Sequence, residues 1–313
     1  MTAVPNREIL DVPTEENEPA PPTGEFIDDE TVVRSQWQLF WKRFFHHRMA
    51  VISSIVLLLI IFVCFAAPWL APYPKNHQNL TLGAVGPSAQ HWFGTDDLGR
   101  DQLTEMMYAG QISLKIGLAV AVISTVLGTL FGALAGYFSE WTDQVLMRVT
   151  DLFLVVPAIA ILAIAIKKFG NSAETIILIL AGLGWMYIAR VVRSQILSIK
   201  EKEYVEAARA SGASHKRIIV RHLIPNTIGP ILVNATLAIA AAIITESTLS
   251  FLGFGVQPPT TSWGRMLADA EGYVGTDKAH LLYFPGLAIL ITVMCVNFIG
   301  DGLRDALDPR RVL

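Results

Sequence analysis

The chain has 313 residues, of which 52% are hydrophobic and only 16% are charged, with a formal net charge of −3. Soluble globular domains carry about 25% charged residues, so this composition argues against an ordinary soluble protein and predicts a membrane protein whose outer surface is largely apolar. The two cysteines, Cys64 and Cys295, both fall inside apolar runs, which argues against a disulfide or a cysteine metal site.

The first 48 residues predict two segments outside the bilayer. Residues 1–36 are rich in proline and acidic side chains, and we expect a disordered, acidic, Pro-rich tail there. The start of the chain lacks the basic-then-apolar order of a signal peptide. Residues 37–48 place aromatic side chains on one helical face beside three bases, a pattern typical of an amphipathic helix at the membrane interface. The aromatic face comprises Trp37, Phe40, Trp41, Phe44 and Phe45.

Six apolar segments follow that are long enough to be membrane-spanning helices, at about 49–70, 112–138, 145–166, 173–193, 228–252 and 282–299. A helix of about 20 residues crosses a hydrocarbon core of about 30 Å. The third segment is kinked or interrupted at Pro157. In the second segment Gly128, Gly132 and Gly136 recur every four residues, which predicts a smooth face for close approach of another helix.

The distribution of Lys and Arg orients these segments. If the N-terminus is cytoplasmic, 17 bases fall on the cytoplasmic side and 7 on the outside. The positive-inside rule therefore predicts that both termini and the polar segment 203–226 lie in the cytoplasm.

The segment 203–226 has the pattern of two capped helices, although a solvated loop is the alternative. Residues 203–211 predict a short helix that stops at Gly212, the residue type best able to adopt the left-handed turn after a helix. Ser214 is suited to cap a second helix, which we expect Pro225 to end. One apolar face of this second helix comprises His215, Ile218, Ile219, His222 and Leu223.

Motifs for catalysis are missing from the sequence. The dipeptide Gly-Lys never occurs, so there is no phosphate-binding loop of the G-x-x-x-x-G-K-[ST] type. No metal-ligand spacing appears either, and packing explains His215 and His222 better than metal binding does. Of the ionisable residues within spans, Glu246 either lines a translocation path, pairs with a base, or lies near the outer end of its helix. For Asp151 we expect an ion pair with Arg148, and for Lys115 an interfacial position.

The motif EAARASG at 206–212, followed by HLIPN at 222–226, resembles the "EAA" loop of membrane subunits of bacterial ABC importers. The segments at 37–50, 93–101, 246–267 and 301–310 resemble other blocks of the peptide-importer branch, specifically its "C"-type dipeptide/oligopeptide permease subunit. The resemblance covers about residue 35 to the end. It implies a type I importer fold with six spans, in which 49–313 form the permease domain and 203–226 a cytoplasmic coupling-helix loop.

The resemblance also implies function, site and partners. It implies a non-catalytic permease subunit of the bacterial cytoplasmic membrane that imports di- or oligopeptides and binds no cofactor, since ATP and Mg²⁺ belong to partner ATPases. The implied partners are a homologous second permease chain, two ATPase subunits or one fused ATPase, an extracytoplasmic solute-binding protein and the lipid bilayer, with no nucleic acid. The residues implied to contact the ATPase are Tyr204, Glu206, Ala207, Ala208, Arg209, Gly212 and Pro225.

The sequence departs from the family pattern in two places. Glu105 stands where a base is usual, and Ala109, Gly110 and Gln111 replace a common Gly-Ala-Arg, which predicts a less basic outer vestibule. The acidic tail is also outside the pattern. Two alternatives stay open at this point: the same architecture importing nickel, haem or another small solute, and a proton-coupled secondary transporter that uses Glu246 and Asp151. A membrane-embedded enzyme or scaffold is disfavoured by the missing catalytic set.

Overall fold

A computed structural model describes residues 36–307. The predicted disordered tail lies outside the described residues except for Gln36, as do residues 308–313. Within 36–307 all regular secondary structure is helical, apart from one isolated antiparallel bridge between Thr95 and Asp101. The helices are α1 Gln36–His46, α2 Arg48–Phe65, α3 Ala67–Leu70, α4 Gln102–Phe138, α5 Glu140–Val155, α6 Ala158–Phe169, α7 Ala173–Ile199, α8 Glu203–Ala210, α9 His215–Ile218, α10 Ile224–Asn226, α11 Ile228–Phe251, α12 Trp263–Asp269 and α13 His280–Leu307.

Five of these helices are long and apolar enough to cross a membrane by themselves: α2, α4, α7, α11 and α13. The predicted third span is two helices, α5 and α6, bent by 87° at the break, and they make a sixth span if the pair is counted as one. Val156 is extended at the break, as expected for a residue before proline, and Pro157 precedes α6. The predicted interruption at Pro157 is therefore confirmed.

Several helices continue past the predicted apolar spans. The second span was predicted from 112, but α4 begins at Gln102, because the Asp101 carboxylate caps it by accepting the Thr104 backbone N–H at 2.9 Å. Similarly, α7 continues to Ile199 and α13 to Leu307, whereas the predicted spans ended at 193 and 299. The first predicted span, 49–70, is divided between α2 and α3.

Parallel packing of α4 against α7 forms the most extensive helix pair within the described chain. The predicted glycine face of α4 lies in this contact. A Cβ atom at Gly132 would lie 2.5 Å from the Ala189 carbonyl oxygen, and one at Gly128 would lie 2.6 Å from the Ile188 Cβ. Only a residue without a side chain permits this approach, so the smooth face predicted from the spacing is confirmed.

The short helix α12 was not predicted, because it lies in a stretch read as a polar loop. It packs inside the bundle against α4, α11 and α13. Trp263 is almost fully buried; its backbone N–H donates to Ser113 Oγ at 3.1 Å, and its indole N–H donates to the Met106 carbonyl at 3.0 Å. Two polar groups of α4 therefore fix this helix in an otherwise apolar site.

The aromatic helix α1 packs partly against the chain's own C-terminal helix. Phe44 is buried with Ala50 and Ala306, while Trp37 and Phe45 on the same helix stay largely exposed. The interfacial role of α1 stays a prediction, with the exposed aromatic side chains as the part available to lipid.

Candidate functional site

The predicted coupling segment lies at one end of the bundle, where α4 and α7 end and α11 begins. Its first helix, α8, is exposed along most of its length: Tyr204, Glu206, Ala207 and Arg209 face outward, and Ala208 is half-buried. Partial burial raises the pKa of the Tyr204 phenol above its ordinary value, which is already well above neutral pH. The exposed face therefore combines two small residues with one carboxylate, one guanidinium and one neutral hydroxyl.

Gly212 ends α8 as predicted. Its φ is +78°, in the left-handed region, and its N–H donates to the Arg209 carbonyl at 3.0 Å. The following N–H, of Ala213, donates to the Ala208 carbonyl at 3.1 Å. No atom lies within 4 Å of the position that a Cβ would take, so the backbone conformation, and not the available space, calls for glycine here.

The opposite face of α8 anchors the segment to the membrane spans. Val205 of α8, Ile218 of α9 and Leu223 are fully buried in one apolar cluster. The same cluster contains Ile196 of α7 and Ile231 of α11. A force applied to α8 is thus passed to the spans through close-packed side chains, which deform little.

A polar contact joins the segment to α4 as well. The Tyr137 hydroxyl lies 2.7 Å from His215 Nδ1, and the Arg209 guanidinium lies over the Tyr137 ring at 6.0 Å. The Lys200 ammonium donates to Ser139 Oγ immediately after α4. Tyr137 and His215 are 78 residues apart, and no local pattern in the sequence indicated this pair.

Pro225 does not end the second helix, and that prediction was wrong. Helical backbone continues from α9 through a π turn at Ile219–Leu223 into α10, where Pro225 occupies one of the first two positions. Proline lacks an N–H and would clash in the interior of a regular α-helix, and a π turn is a common way to accommodate such a disruption. The predicted Ser214 cap is confirmed, since its Oγ accepts the Arg217 N–H at 3.4 Å.

The ionisable residues of the spans have different partners from those expected. Asp151 pairs with Arg190 of α7 and not with Arg148. Lys115 Nζ lies 2.8 Å from Glu174 Oε1. Glu246 is fully buried near the far end of α11, where its Oε1 accepts hydrogen bonds from Ser250 and Ser262, both at 2.7 Å.

Glu246 therefore acts in this conformation as a link between α11 and the start of α12, because Ser262 also caps α12. It has no basic partner among the described ion pairs. Its role in a translocation path stays a prediction.

The structure places five of the seven predicted coupling residues on α8 and Gly212 just after it, and leaves apart Pro225 and the predicted pathway residue Glu246. Pro225 lies in α10 beside the start of α11, and Glu246 lies at the opposite end of the bundle. Within residues 36–307, no group of three or more His, Cys, Asp or Glu side chains is arranged to hold a metal ion.

Two family models match the chain. The model described as "Binding-protein-dependent transport system inner membrane component" matches residues 128–312, and the model described as "N-terminal TM domain of oligopeptide transport permease C" matches residues 35–86.

Two groups of characterised proteins are similar over nearly their full length. The oligopeptide transport system permease protein OppC of Mycobacterium tuberculosis (strain H37Rv) is 42% identical over 281 residues, which cover 89% of this chain and 96% of that protein. The glutathione transport system permease protein GsiD of Escherichia coli O157:H7 is 40% identical over 279 residues, which cover 89% of this chain and 92% of that protein.

Proposed function

This chain belongs to the family of binding-protein-dependent transport system inner membrane components, and from that premise we propose that it is the non-catalytic permease subunit of an ATP-driven peptide importer. In this proposal α8 docks into a cytoplasmic ATPase, and the spans form half of the translocation pathway. The observation that supports this proposal most strongly is the structure of α8. One face of α8 exposes small and charged residues. The other face packs into an apolar cluster that includes residues of three spans, and a hydrogen bond from the same segment reaches α4.

The chemistry of α8 supports docking of a protein partner. Ala207 and Ala208 allow the partner's surface to approach the helix closely, while Glu206 and Arg209 offer charge-assisted contacts at the edges. Because Val205 of α8 lies in one apolar cluster with residues of α7 and α11, displacement of α8 would be passed to those helices as rigid-body motion.

Peptides are the substrate class that the similarities support. The two relatives are named for oligopeptide and glutathione transport, and glutathione is itself a small peptide. We therefore propose peptides as the cargo and leave their length and sequence to the binding protein that delivers them. The family membership does not favour import of nickel or haem. It also does not favour a proton-coupled carrier that uses Glu246 and Asp151.

The energy source and partners follow from the same proposal. The sequence has no phosphate-binding loop, so ATP and Mg²⁺ would be bound by partner ATPases, either two subunits or one fused chain. A second, homologous permease would complete the pathway, and a solute-binding protein would dock at the end of the bundle opposite α8. The distribution of Lys and Arg supports a cytoplasmic position for both termini and α8 in this proposal.

Reconstitution tests the proposal. We expect proteoliposomes that contain this chain, its second permease and its ATPases to take up peptide only with ATP and with the binding protein. Proteoliposomes with this chain alone and an imposed proton gradient should take up none. Uptake by the chain alone would establish a secondary transporter and contradict the proposal.

A further inference from the structure

A cavity of about 670 Å³ lies at the end of the bundle opposite α8. Its wall is formed by the loop before α4, by the start of α4, and by the segment from Pro258 to the start of α13. Its volume falls within the range of about 300–1,000 Å³ that is typical of small-molecule sites. Neither the coupling contacts nor the proposed role of α8 uses this cavity.

The wall of the cavity is acidic. Within the described residues it contains four carboxylates, from Asp96, Asp97, Glu105 and Asp269, and one guanidinium, from Arg100. Arg100 is already engaged, with its Nε 2.6 Å from Asp96 Oδ2. Arg265, which lies outside the wall, pairs with Asp269 at 2.8 Å, and the hydroxyl of Tyr273, which is part of the wall, donates to Asp97.

Glu105 is the carboxylate whose bonding is incomplete. It is 2% exposed, and its Oε1 accepts the Asn76 backbone N–H at 2.7 Å. Asn76 makes this donation from a left-handed backbone, with φ of +57°. The second oxygen, Oε2, is buried and has no hydrogen-bond partner in the part of the chain that the structure describes. A buried carboxylate oxygen without a donor is costly, so this site is built to receive one.

We propose that this cavity is a binding site for one organic cation, an ammonium or guanidinium group, whose N–H donates to Glu105 Oε2. The acidic wall attracts such a group, and Glu105, which lines the cavity and has one unpartnered oxygen, suits a single N–H donor. A metal ion is a poorer fit, because the described residues hold no group of three His, Cys, Asp or Glu side chains suited to one.

Within the proposed importer, on which this inference rests, two sources could supply the cation. One is the amino terminus of the peptide cargo, and the other is a Lys or Arg side chain of the docked binding protein. Both would present the same N–H donors to Glu105, so the experiment needs one arm for each source.

The diagnostic variant is Glu105→Gln, which keeps the acceptor for Asn76 and removes the negative charge with almost no change in shape. The matched control is Glu271→Gln, an exposed acid near the same end that does not line the cavity. Asp97→Asn is a second variant; because Asp97 is exposed, its effect should have the same direction and be smaller. Thermal unfolding of each complex checks that the variants are folded.

The first arm measures uptake of trialanine and of N-acetyl-trialanine by the reconstituted complex. If the cargo supplies the cation, the wild-type complex should prefer the free amine by about tenfold, the scale of one charge-assisted hydrogen bond, and Glu105→Gln should remove the preference. The second arm measures the affinity of the binding protein for the complex without ATP. If the binding protein supplies the cation, Glu105→Gln should weaken docking by about tenfold and Glu271→Gln should not.

Either result supports the cation site and identifies its source. Unchanged peptide preference together with unchanged docking in Glu105→Gln would overturn it. Absence of ATP-dependent uptake by the wild-type complex would instead contradict the proposed importer, and the docking arm, which needs no turnover, would still test the cavity.

Discussion

The two ends of the helical bundle differ in whether their polar residues are exposed or buried. At the α8 end, Glu206 and Arg209 face outward on a helix that apolar side chains fix from beneath. At the other end, Glu105 and Glu246 are buried, and carboxylates line a partly open cavity. An outward polar face suits docking of a protein, whereas an inward one suits binding of a smaller group. Under the two proposals, the ATPase contacts the chain at one end of the bundle, and the cation binds at the other end.

The seam between α4 and α7 joins the two ends, and breaking it should have the largest effect. Gly132→Leu would place a side chain where the Ala189 carbonyl lies 2.5 Å away, and overpacking of this kind costs about 1–3 kcal/mol. We expect a lower melting temperature of the purified complex and loss of uptake. Gly182→Leu is the control, since no atom lies within 4 Å of its Cβ position. Equal destabilisation by both variants would show that the lower stability of Gly132→Leu does not come from the contact between α4 and α7.

Gly212 and Gly275 offer a direct comparison of the two ends, because both have φ of +78° and open space around the Cβ position. Valine in a left-handed conformation costs roughly 1–2 kcal/mol, which corresponds to about a tenfold change in an equilibrium. We expect Gly212→Val to lower ATP-driven uptake by about tenfold while the protein stays inserted and the ATPases stay active. Gly275→Val should change the ratio of uptake to ATP hydrolysis little. Normal uptake by a well-expressed Gly212→Val protein would contradict the coupling role.

Reversal of one charge should also distinguish the two ends, with a smaller loss of uptake than the glycine substitutions cause. Glu206→Lys changes an exposed contact of at most about 1 kcal/mol, so we expect uptake to fall about fivefold, with a weaker effect at high salt. The control is Glu271→Lys, an exposed acid at the opposite end. A similar loss from both variants would point to a general effect of net charge and not to docking at α8. Uptake and co-purification of the ATPase measure the result.

The smallest effect should come from Tyr137→Phe, which keeps the ring and removes the hydroxyl bonded to His215. A single net hydrogen bond contributes about 0.5–1.5 kcal/mol, and the ring packing remains. We therefore expect about a threefold lower ratio of uptake to ATP hydrolysis, and no change for Tyr283→Phe, an exposed tyrosine on α13. An unchanged ratio in Tyr137→Phe would show that the hydrogen bond between Tyr137 and His215 does not contribute to coupling.

Most of the fold could be predicted because it depends on local patterns. Apolar runs located the spans, glycine spacing located the α4 contact face, and Gly212 with Ser214 located the break between α8 and α9. Helix ends were less accurate, since α4, α7 and α13 continue into polar sequence that carries no apolar period. The prediction that Pro225 ends the second helix was wrong because a π turn precedes it and lets the helical backbone continue. A π turn has no clear sequence signature.

The parts of the site that could not be predicted depend on tertiary contacts. Asp151 has a base three residues away, yet it pairs with Arg190, which α7 brings beside it. The pairing of Tyr137 with His215 and the burial of Glu105 beneath Asn76 also join residues far apart in sequence. Comparison with the family pattern singled out Glu105 as unusual for its position, but neither that comparison nor local spacing indicates which partner a residue contacts.

The central claim, that α8 is the surface that contacts the ATPase, can be tested most directly by cross-linking. Both native cysteines are buried, so Ala207→Cys introduces one accessible thiol on α8, and Ala89→Cys introduces one at an exposed alanine of the opposite end. With a thiol-reactive photo-cross-linker in membranes that contain the complete complex, we predict an ATPase adduct from position 207 and none from position 89. No ATPase adduct from position 207, or an adduct from position 89, would contradict the account.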